Sequence, residues 1–102
     1  MVHAELTNLG DRATFDEWYR EHLTQASEIF TARSAWRCWS EAKPSDHYAF
    51  YEFADVATIG TVLRSSGFRS LAAEFDRRWG CRVQRSREIL DVVQEQPKPS
   101  SE

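Results

Sequence analysis

The stretch Thr14-Phe15-Asp16-Glu17-Trp18-Tyr19-Arg20-Glu21-His22-Leu23 decides the fold, because it begins the clearest helix in the chain. Apolar and aromatic residues recur at spacings of three and four as far as Phe30, which is the pattern of an amphipathic helix. Thr14 and Glu17 also fit a capping box, in which the two side chains satisfy free backbone N–H groups at the helix start. We therefore predict a helix that begins at Thr14 and packs its apolar side against a sheet.

Alternating side chains on either side of this helix predict four strands, at Val2–Leu6, 31–41, 47–53 and 81–93. The turn at 43–46 joins the second and third strands in a hairpin. Asp55 can cap a short helix after the third strand. The segment 65–67 interrupts that helix, and a second helical piece ends at Gly80, whose freedom at positive φ suits a C-terminal cap.

The resulting order, β-α-β-β-α-β, predicts an α+β protein of the ferredoxin-like class with helices on one face of an antiparallel sheet. The strands carry large side chains on both faces, since Trp36 and Trp39 point oppositely, as do Phe50 and Tyr51. A sheet face that exposed such residues would be a large apolar patch. We therefore expect a homodimer, in which a second copy covers the face that the helices leave open.

Length and charge predict one domain and exclude several classes of partner. The 102 residues suit a single domain at 1–93, followed by a polar segment at 94–102 that we expect to be disordered. The net charge of −3, with both signs mixed along the chain, argues against nucleic-acid binding. No apolar run is long enough to cross a membrane, and no signal peptide is recognisable, so a cytoplasmic location is expected.

His22 is the first candidate for chemistry. With a turn of about 100° per residue, it falls near the centre of the apolar stripe that runs from Trp18 to Leu23. A histidine aimed at the sheet loses water, and burial should lower its pKa and keep it neutral. It is then either a core histidine with a hydrogen-bond partner or a general acid or base.

Several aromatic residues could line a pocket for a hydrophobic small molecule, or could simply form the core and the dimer interface. They are Trp18, Tyr19, Trp36, Trp39, Tyr48, Phe50 and Tyr51. Arg37, between two tryptophans in the sequence, could bind a substrate carboxylate or stack on a ring, and equally could be a paired surface arginine.

Motifs for metal or cofactor chemistry are absent from the sequence. There is no glycine-rich phosphate loop, no G-x-S-x-G, no H-E-x-x-H and no His/Cys cluster, and Cys38 and Cys81 lack metal-ligand spacing. We therefore expect no metal and no cofactor, which leaves proton transfer as the simplest chemistry.

The pattern Phe15-x-x-Trp18-Tyr19-x-x-His22-Leu23 resembles the helix signature of the EthD-like branch of the dimeric α/β-barrel superfamily. The resemblance extends over residues 2–93, with the end of the third strand, Tyr51-Glu52-Phe53, as a further point of likeness. It implies a pocket at His22. Small polyketide cyclases of this superfamily use strand histidines and a tyrosine, which implies a catalytic group of His22, His47 and Tyr51 with His3 nearby.

Two functions remain open at this point. The first is a cofactor-less cyclase, isomerase, lyase or oxygenase acting on a hydrophobic, aromatic or polyketide-like molecule, with catalytic residues His22, His47 and Tyr51. Its substrate-binding residues would be His3, Trp18, Tyr19, Trp36, Arg37 and Phe50. The alternative is a non-catalytic protein of the same fold that binds a small molecule or a partner enzyme.

Overall fold

The computed structural model describes residues 1–97 and contains one four-stranded sheet and three α-helices. The elements in chain order are β1 (Val2–Leu6), α1 (Arg12–Phe30), β2 (Ser34–Trp39), β3 (Asp46–Glu52), α2 (Val56–Leu63), α3 (Ser66–Trp79) and β4 (Val83–Arg87). The strand order is β2-β3-β1-β4, and every neighbouring pair is antiparallel. The predicted ferredoxin-like α+β fold is confirmed.

The strand register separates the sheet into two chemically different faces. Facing pairs such as Ala4 with His47 and Arg37 with Ala49 lie on the side that the helices cover, here called the helix face. Pairs such as His3 with Tyr48 and Trp36 with Phe50 lie on the other side, here called the open face. Large side chains therefore occupy both faces, as the alternation predicted.

The core lies where α1 and α3 pack on the helix face. Phe15 is fully buried, and its ring centroid lies 5.0–6.2 Å from five other rings. Those rings belong to Tyr19, Trp39, His47, Phe75 and Trp79. A smaller cluster of Ala26, Phe30 and Leu71 continues the contact between α1 and α3.

The start of α1 differs from the prediction. A 3-10 turn at Leu9–Asp11 leads directly into a helix that begins at Arg12, so the expected cap residue Thr14 lies inside the first turn. Asn8 caps that turn, because its side-chain oxygen accepts a hydrogen bond from the Gly10 N–H at 2.8 Å, and Asp11 precedes α1 without a side-chain capping bond. The capping-box prediction was wrong because that turn winds the chain into the helix before Thr14 is reached.

The last strand is also shorter than predicted, and ends at Arg87 rather than Val93. Strand β4 lies at the sheet edge and pairs only with β1, and the final backbone contact joins the Glu88 N–H to the Met1 carbonyl at 2.9 Å. Within the described structure, residues 89–97 have no neighbouring strand and take no regular structure. The alternation along β4 does not show where its pairing with β1 ends, and so the strand was predicted to be too long.

Other boundaries follow the prediction more closely. Asp55 caps α2 by accepting a hydrogen bond from the Thr58 N–H at 2.8 Å, and α3 ends before Gly80, whose φ is +38°. Part of the segment expected to be disordered, residues 98–102, lies outside the described residues. None of the helices within residues 1–97 is long and apolar enough to span a membrane.

Asp16 fastens α1 to the hairpin. Its Oδ1 accepts hydrogen bonds from Arg37 Nη1 at 2.7 Å and from Trp39 Nε1 at 2.9 Å, and its carbonyl accepts from Arg37 Nη2 at 3.1 Å. The bond from Trp39, followed by the bond from Arg37, lowers the pKa of the Asp16 carboxyl. Asp16 therefore joins α1 to β2, two elements that are separate in the sequence.

We predict that Asp16→Ala lowers the free energy of unfolding by about 1–2 kcal/mol, because it removes two charge-assisted hydrogen bonds from a half-exposed carboxylate. Glu17→Ala is the matched control, since Glu17 forms only an exposed ion pair with Arg20 at 3.2 Å and such pairs contribute less than about 1 kcal/mol. Urea unfolding at pH 7 measures both. Equal losses in the two variants would contradict the anchoring role.

Candidate functional site

His22 lies on α1, between the sheet and α3, with only 8% of its surface exposed. Its ring stacks on Trp18 with centroids 4.5 Å apart and meets Tyr19 edge-on at 5.0 Å. Its Nδ1 is buried and has no hydrogen-bond partner among residues 1–97. The predicted burial of His22 on the apolar stripe is confirmed, while the partner expected of a core histidine is missing at Nδ1.

A narrow cleft of about 40 Å³ borders His22 on the helix face. This volume is sufficient for a few water molecules or for one edge of a larger molecule. Its walls come from α1, α3 and three strands. They are Val2, Tyr19, His22, Phe30, Tyr51, Phe68, Leu71, Ala72, Phe75, Arg85 and Arg87.

The surroundings keep His22 neutral. Burial is the main cause that lowers the pKa of its imidazole to about 4, and the positive charge of Arg85 contributes to the same shift. At neutral pH the ring therefore carries one proton and has one free basic nitrogen. A neutral imidazole with an unpartnered nitrogen is able to accept or donate a proton at the cleft.

Two tyrosines stand beside this histidine. The hydroxyls of Tyr19 and Tyr51 are adjacent, and burial is the main cause that raises the pKa of each phenol. Both phenols therefore stay protonated near neutral pH and are available as hydrogen-bond donors. Tyr51 reaches the cleft from β3 and Tyr19 from α1.

Arg85 is the residue that sequence reasoning missed. Its guanidinium lies 4.3 Å from the centroid of the Phe75 ring and 3.1 Å from the Asp76 carboxylate, with its side chain only 16% exposed. The strand alternation could have placed it, because Arg85 follows the buried Val83 by two residues and so shares its face. The polar residues in the middle of β4 are typical of a solvent-exposed segment, and for this reason Arg85 was not predicted as a site residue.

His47 lies deeper than His22 and is closed off from solvent. It is 0% exposed and packs against the rings of Phe15, Tyr19 and Trp39. Burial, then the charge of Arg37, lowers its pKa to about 3. Because a guanidinium only donates, the contact of 3.4 Å between Arg37 Nη1 and Nε2 assigns Nε2 as the acceptor and Nδ1 as the protonated nitrogen.

Arg37 is engaged with Asp16 and with His47, so its guanidinium is already occupied within the described structure. A substrate carboxylate or an aromatic ring would therefore have to compete with Asp16 and His47 for the Arg37 guanidinium. Its centre lies 6.0 Å from the Tyr19 ring, at the outer limit for a cation–π contact.

Three of the predicted site residues lie on the opposite side of the sheet. His3 stacks on Tyr48 with centroids 4.8 Å apart, and its Nε2 lies 3.2 Å from Asp46 Oδ1. Trp36 stacks on Phe50 at 5.3 Å with planes 12° apart. His3, Trp36 and Phe50 thus belong to the open face, and the sheet separates His3 from His22 and His47.

The structure therefore brings six predicted residues together on the helix face and places the other three on the open face. The six are Trp18, Tyr19, His22, Arg37, His47 and Tyr51. Within residues 1–97, no group of three or more His, Cys, Asp or Glu side chains is arranged to hold a metal ion.

Comparison with known proteins agrees with the fold. No family model matches the chain, and no curated protein matches its sequence. A structure search finds the 1.40 Å crystal structure of a Deinococcus radiodurans protein provisionally assigned as an antibiotic biosynthesis monooxygenase. The two structures superpose with a TM-score of 0.61 at 8% sequence identity, over 95% of this chain and 100% of the other. This likeness supports the ferredoxin-like fold, and membership of the EthD-like branch stays a prediction.

Histidines 22 and 47 should make the protein unstable in acid. Their pKa values are about 4 and about 3 in the folded state, below the usual 6.5, so the unfolded chain takes up protons first as the pH falls. The stability that they contribute is complete above about pH 6.5 and is lost progressively toward pH 4 and below. Between pH 6 and 4.5, each should remove up to about 1.4 kcal/mol per pH unit.

Urea unfolding followed by circular dichroism at several pH values measures this slope. We expect His47→Gln to reduce it by about half, and His22→Gln serves as the second variant if His47→Gln does not fold. The pKa values of Asp16 and Asp55 are lowered from 3.8, so both carboxyls titrate below this window. A wild-type stability that is flat from pH 7 to 4.5 would contradict the burial of both rings.

Proposed function

We propose that the protein is a small cofactor-less enzyme that acts on a hydrophobic, aromatic or polyketide-like molecule by acid–base chemistry. The observation that carries this proposal is the buried, neutral His22, whose Nδ1 has no partner within residues 1–97 and whose ring borders a cleft. The enclosed His47 also has a buried Nδ1 without a partner in this part of the chain, so His22 is distinguished by the cleft that its ring borders. A catalytic role at the cleft would explain why the Nδ1 of His22 lacks a partner within the described residues.

In the proposed step, neutral His22 takes a proton from an acidic C–H or O–H group of the substrate and becomes an imidazolium. The substrate becomes an enolate or phenolate, and the charge of Arg85 stabilises this anion. A neighbouring anion also raises the pKa of His22, so the imidazolium can return the proton to another atom of the product. Cyclisation, isomerisation, elimination and oxygenation of an activated phenol can all begin with this step.

Tyr51 and Tyr19 complete the proposed site in supporting roles. Both phenols remain protonated, so one of the pair can donate a hydrogen bond to the other, which then donates its own to a substrate oxygen. His47 is closed off behind Phe15 and Tyr19, so we assign it a positioning role through the Tyr19 ring. The Trp18 ring, stacked on His22, orients the imidazole.

The helix pattern from Phe15 to Leu23 supports assignment to the EthD-like branch, and we propose that assignment on the pattern and the fold together. The assignment of the Deinococcus radiodurans protein also favours a small biosynthetic enzyme over other functions of this fold. A non-catalytic binding protein remains the second candidate, because the cleft and its apolar walls would serve it equally well.

We further propose a homodimer that forms through the open face. Four rings stack in sequence across three strands of this face: His3 on Tyr48, Tyr48 near Phe50 at 6.5 Å, and Phe50 on Trp36. Trp36 at the end of this row is 48% exposed. A second copy packed by C2 symmetry would bury the whole row.

His22→Ala should reduce turnover by about a hundredfold or more, because the variant lacks the group that transfers the proton. Hydrogen–deuterium exchange at the acidic C–H of hydroxylated aryl ketones, followed by NMR, measures this step directly, and oxygen uptake tests the oxygenase reading. Wild-type exchange should stay active down to about pH 4, where His22 becomes protonated.

Glu21→Gln is the matched control, since it changes an exposed residue on the same helix and should leave the exchange rate unchanged. An unaltered rate in a folded His22→Ala variant would remove His22 from the mechanism. Saturable binding of these ketones without any exchange in the wild type would instead favour the non-catalytic protein.

Trp36→Arg should convert the dimer to a monomer, because it places a charge in the apolar row that a second copy would cover. Sedimentation velocity at micromolar concentration should give about twice the 11.9 kDa of one chain for the wild type and a single chain for the variant. Leu9→Arg changes an equally exposed apolar residue outside the sheet and should remain dimeric. A monomeric wild type would overturn the proposed interface.

A further inference from the structure

A second cavity of about 890 Å³, here called the outer chamber, lies where the sheet meets α2 and the segment after β4. Most of its walls are apolar, and its volume falls in the range typical of sites for small organic molecules. Its apolar lining combines helix-face residues such as Val2, Tyr51 and Phe68 with Trp36 and Phe50 from the end of the open-face row.

The outer chamber adjoins the His22 cleft. Both cavities are lined by Val2, Phe30, Tyr51, Phe68 and Arg87, so the same side chains form the boundary between them. A molecule too large for the 40 Å³ cleft could therefore place its body in the outer chamber and its reacting end beside His22. The boundary is the point at which a recognition group would be most effective.

Arg87 is the charged residue at that boundary. Its guanidinium carbon lies 4.7 Å from the centroid of the Phe68 ring, and within residues 1–97 no carboxylate oxygen lies within 4 Å of the guanidinium nitrogens. Although much of the residue is exposed, burial is the first cause that lowers the pKa of its guanidinium. A partly desolvated cation without a counterion is unfavourable, and an anionic ligand would offset this cost.

The two other arginines that line these cavities, Arg33 and Arg85, each have an acidic partner. Arg33 also lines the outer chamber, and its Nε lies 3.7 Å from Glu52 Oε1. Arg85 lines the cleft and is paired with Asp76. Arg87 is thus the arginine shared by both cavities, and the one of these three without an acidic partner in the described part of the chain.

The acidic residues of the outer chamber restrict the charge of the ligand. The carboxylates of Glu52 and Asp55 are engaged, the first with Arg33 and the second in capping α2. Glu88, Asp91 and Glu95 lie along the exposed segment after β4. A second anionic group reaching that rim would be repelled, so the chamber favours a molecule with one anionic group at its inner end.

We propose that the outer chamber binds the apolar body of a singly charged aromatic anion, a carboxylate or an acidic phenol, with its anionic group on Arg87. This assignment rests on the proposed function in placing the reacting end beside His22, and it names the class of substrate. The ligand's rings contact the apolar walls, and the guanidinium donates hydrogen bonds to its anionic group, two of them in parallel where that group is a carboxylate.

Two fluorescent probes of nearly equal shape test this proposal. 8-Anilinonaphthalene-1-sulfonate carries one sulfonate, and N-phenyl-1-naphthylamine has the same rings without a charge. Arg87→Gln should weaken binding of the anionic probe by about tenfold or more, as expected for loss of a charge-assisted contact. Binding of the neutral probe should change by less than about twofold, because the apolar walls are intact.

Arg87→Lys keeps a positive charge and should retain most of the anionic probe's affinity. Arg69→Gln removes an exposed arginine outside both cavities and should affect neither probe. The proposal fails if Arg87→Gln leaves the anionic probe's affinity unchanged, or if it weakens both probes equally. It also fails if Arg69→Gln has the same effect as Arg87→Gln.

The experiments distinguish a wrong anion-site proposal from a wrong catalytic proposal. Probe binding requires no turnover, so it is measured independently of the exchange assay. If His22 governs exchange while Arg87 does not affect the probes, the enzyme stands and the anion site is wrong. If Arg87 governs probe binding while no substrate turns over, the anion site stands and the catalytic proposal is wrong.

Discussion

The packing of Phe15 against the helix face is the contact on which the rest of the structure depends. One fully buried ring from α1 meets rings from β2, β3 and α3, so a single side chain joins the long helix to the hairpin and to the last helix. A core this aromatic buries much apolar area with few residues, which suits a domain of only 102 residues. Asp16, the next residue, then fixes the helix direction through Arg37 and Trp39.

This aromatic packing also produces the chemistry of the site. Polar side chains that enter such a layer lose water, and so His22 and His47 are held neutral while Tyr19 and Tyr51 are held protonated. What differs between the two histidines is access. His47 is enclosed by three rings, whereas His22 borders a cleft, and this difference directs the functional proposal to His22.

The sheet divides the predicted site residues by face. Adjacent residues of a strand point to opposite sides of the sheet, so His3 and Ala4 lie on different faces. Although β1 pairs with β3, His3 and His47 therefore have different neighbours. His3 therefore joins the row of rings on the open face, where it lies beside Asp46. The residues expected to form one site serve two surfaces, the cleft and the proposed dimer interface.

Three features were predictable from the sequence alone: the order of elements, the apolar stripe of α1 with His22 at its centre, and the alternation that places large rings on both faces of the sheet. They follow from local periodicity, because a repeat of 3.6 or 2 residues can be recognised in the sequence without knowing the tertiary contacts of each residue. Three features required the tertiary structure: the end of β4, the pairing of Arg37 with Asp16, and the cleft that Arg85 and Arg87 line, for which alternation indicates only the face of the sheet. Each of these depends on a contact between elements distant in the chain, such as the pairing of β4 with β1, and a local pattern carries no information about such contacts.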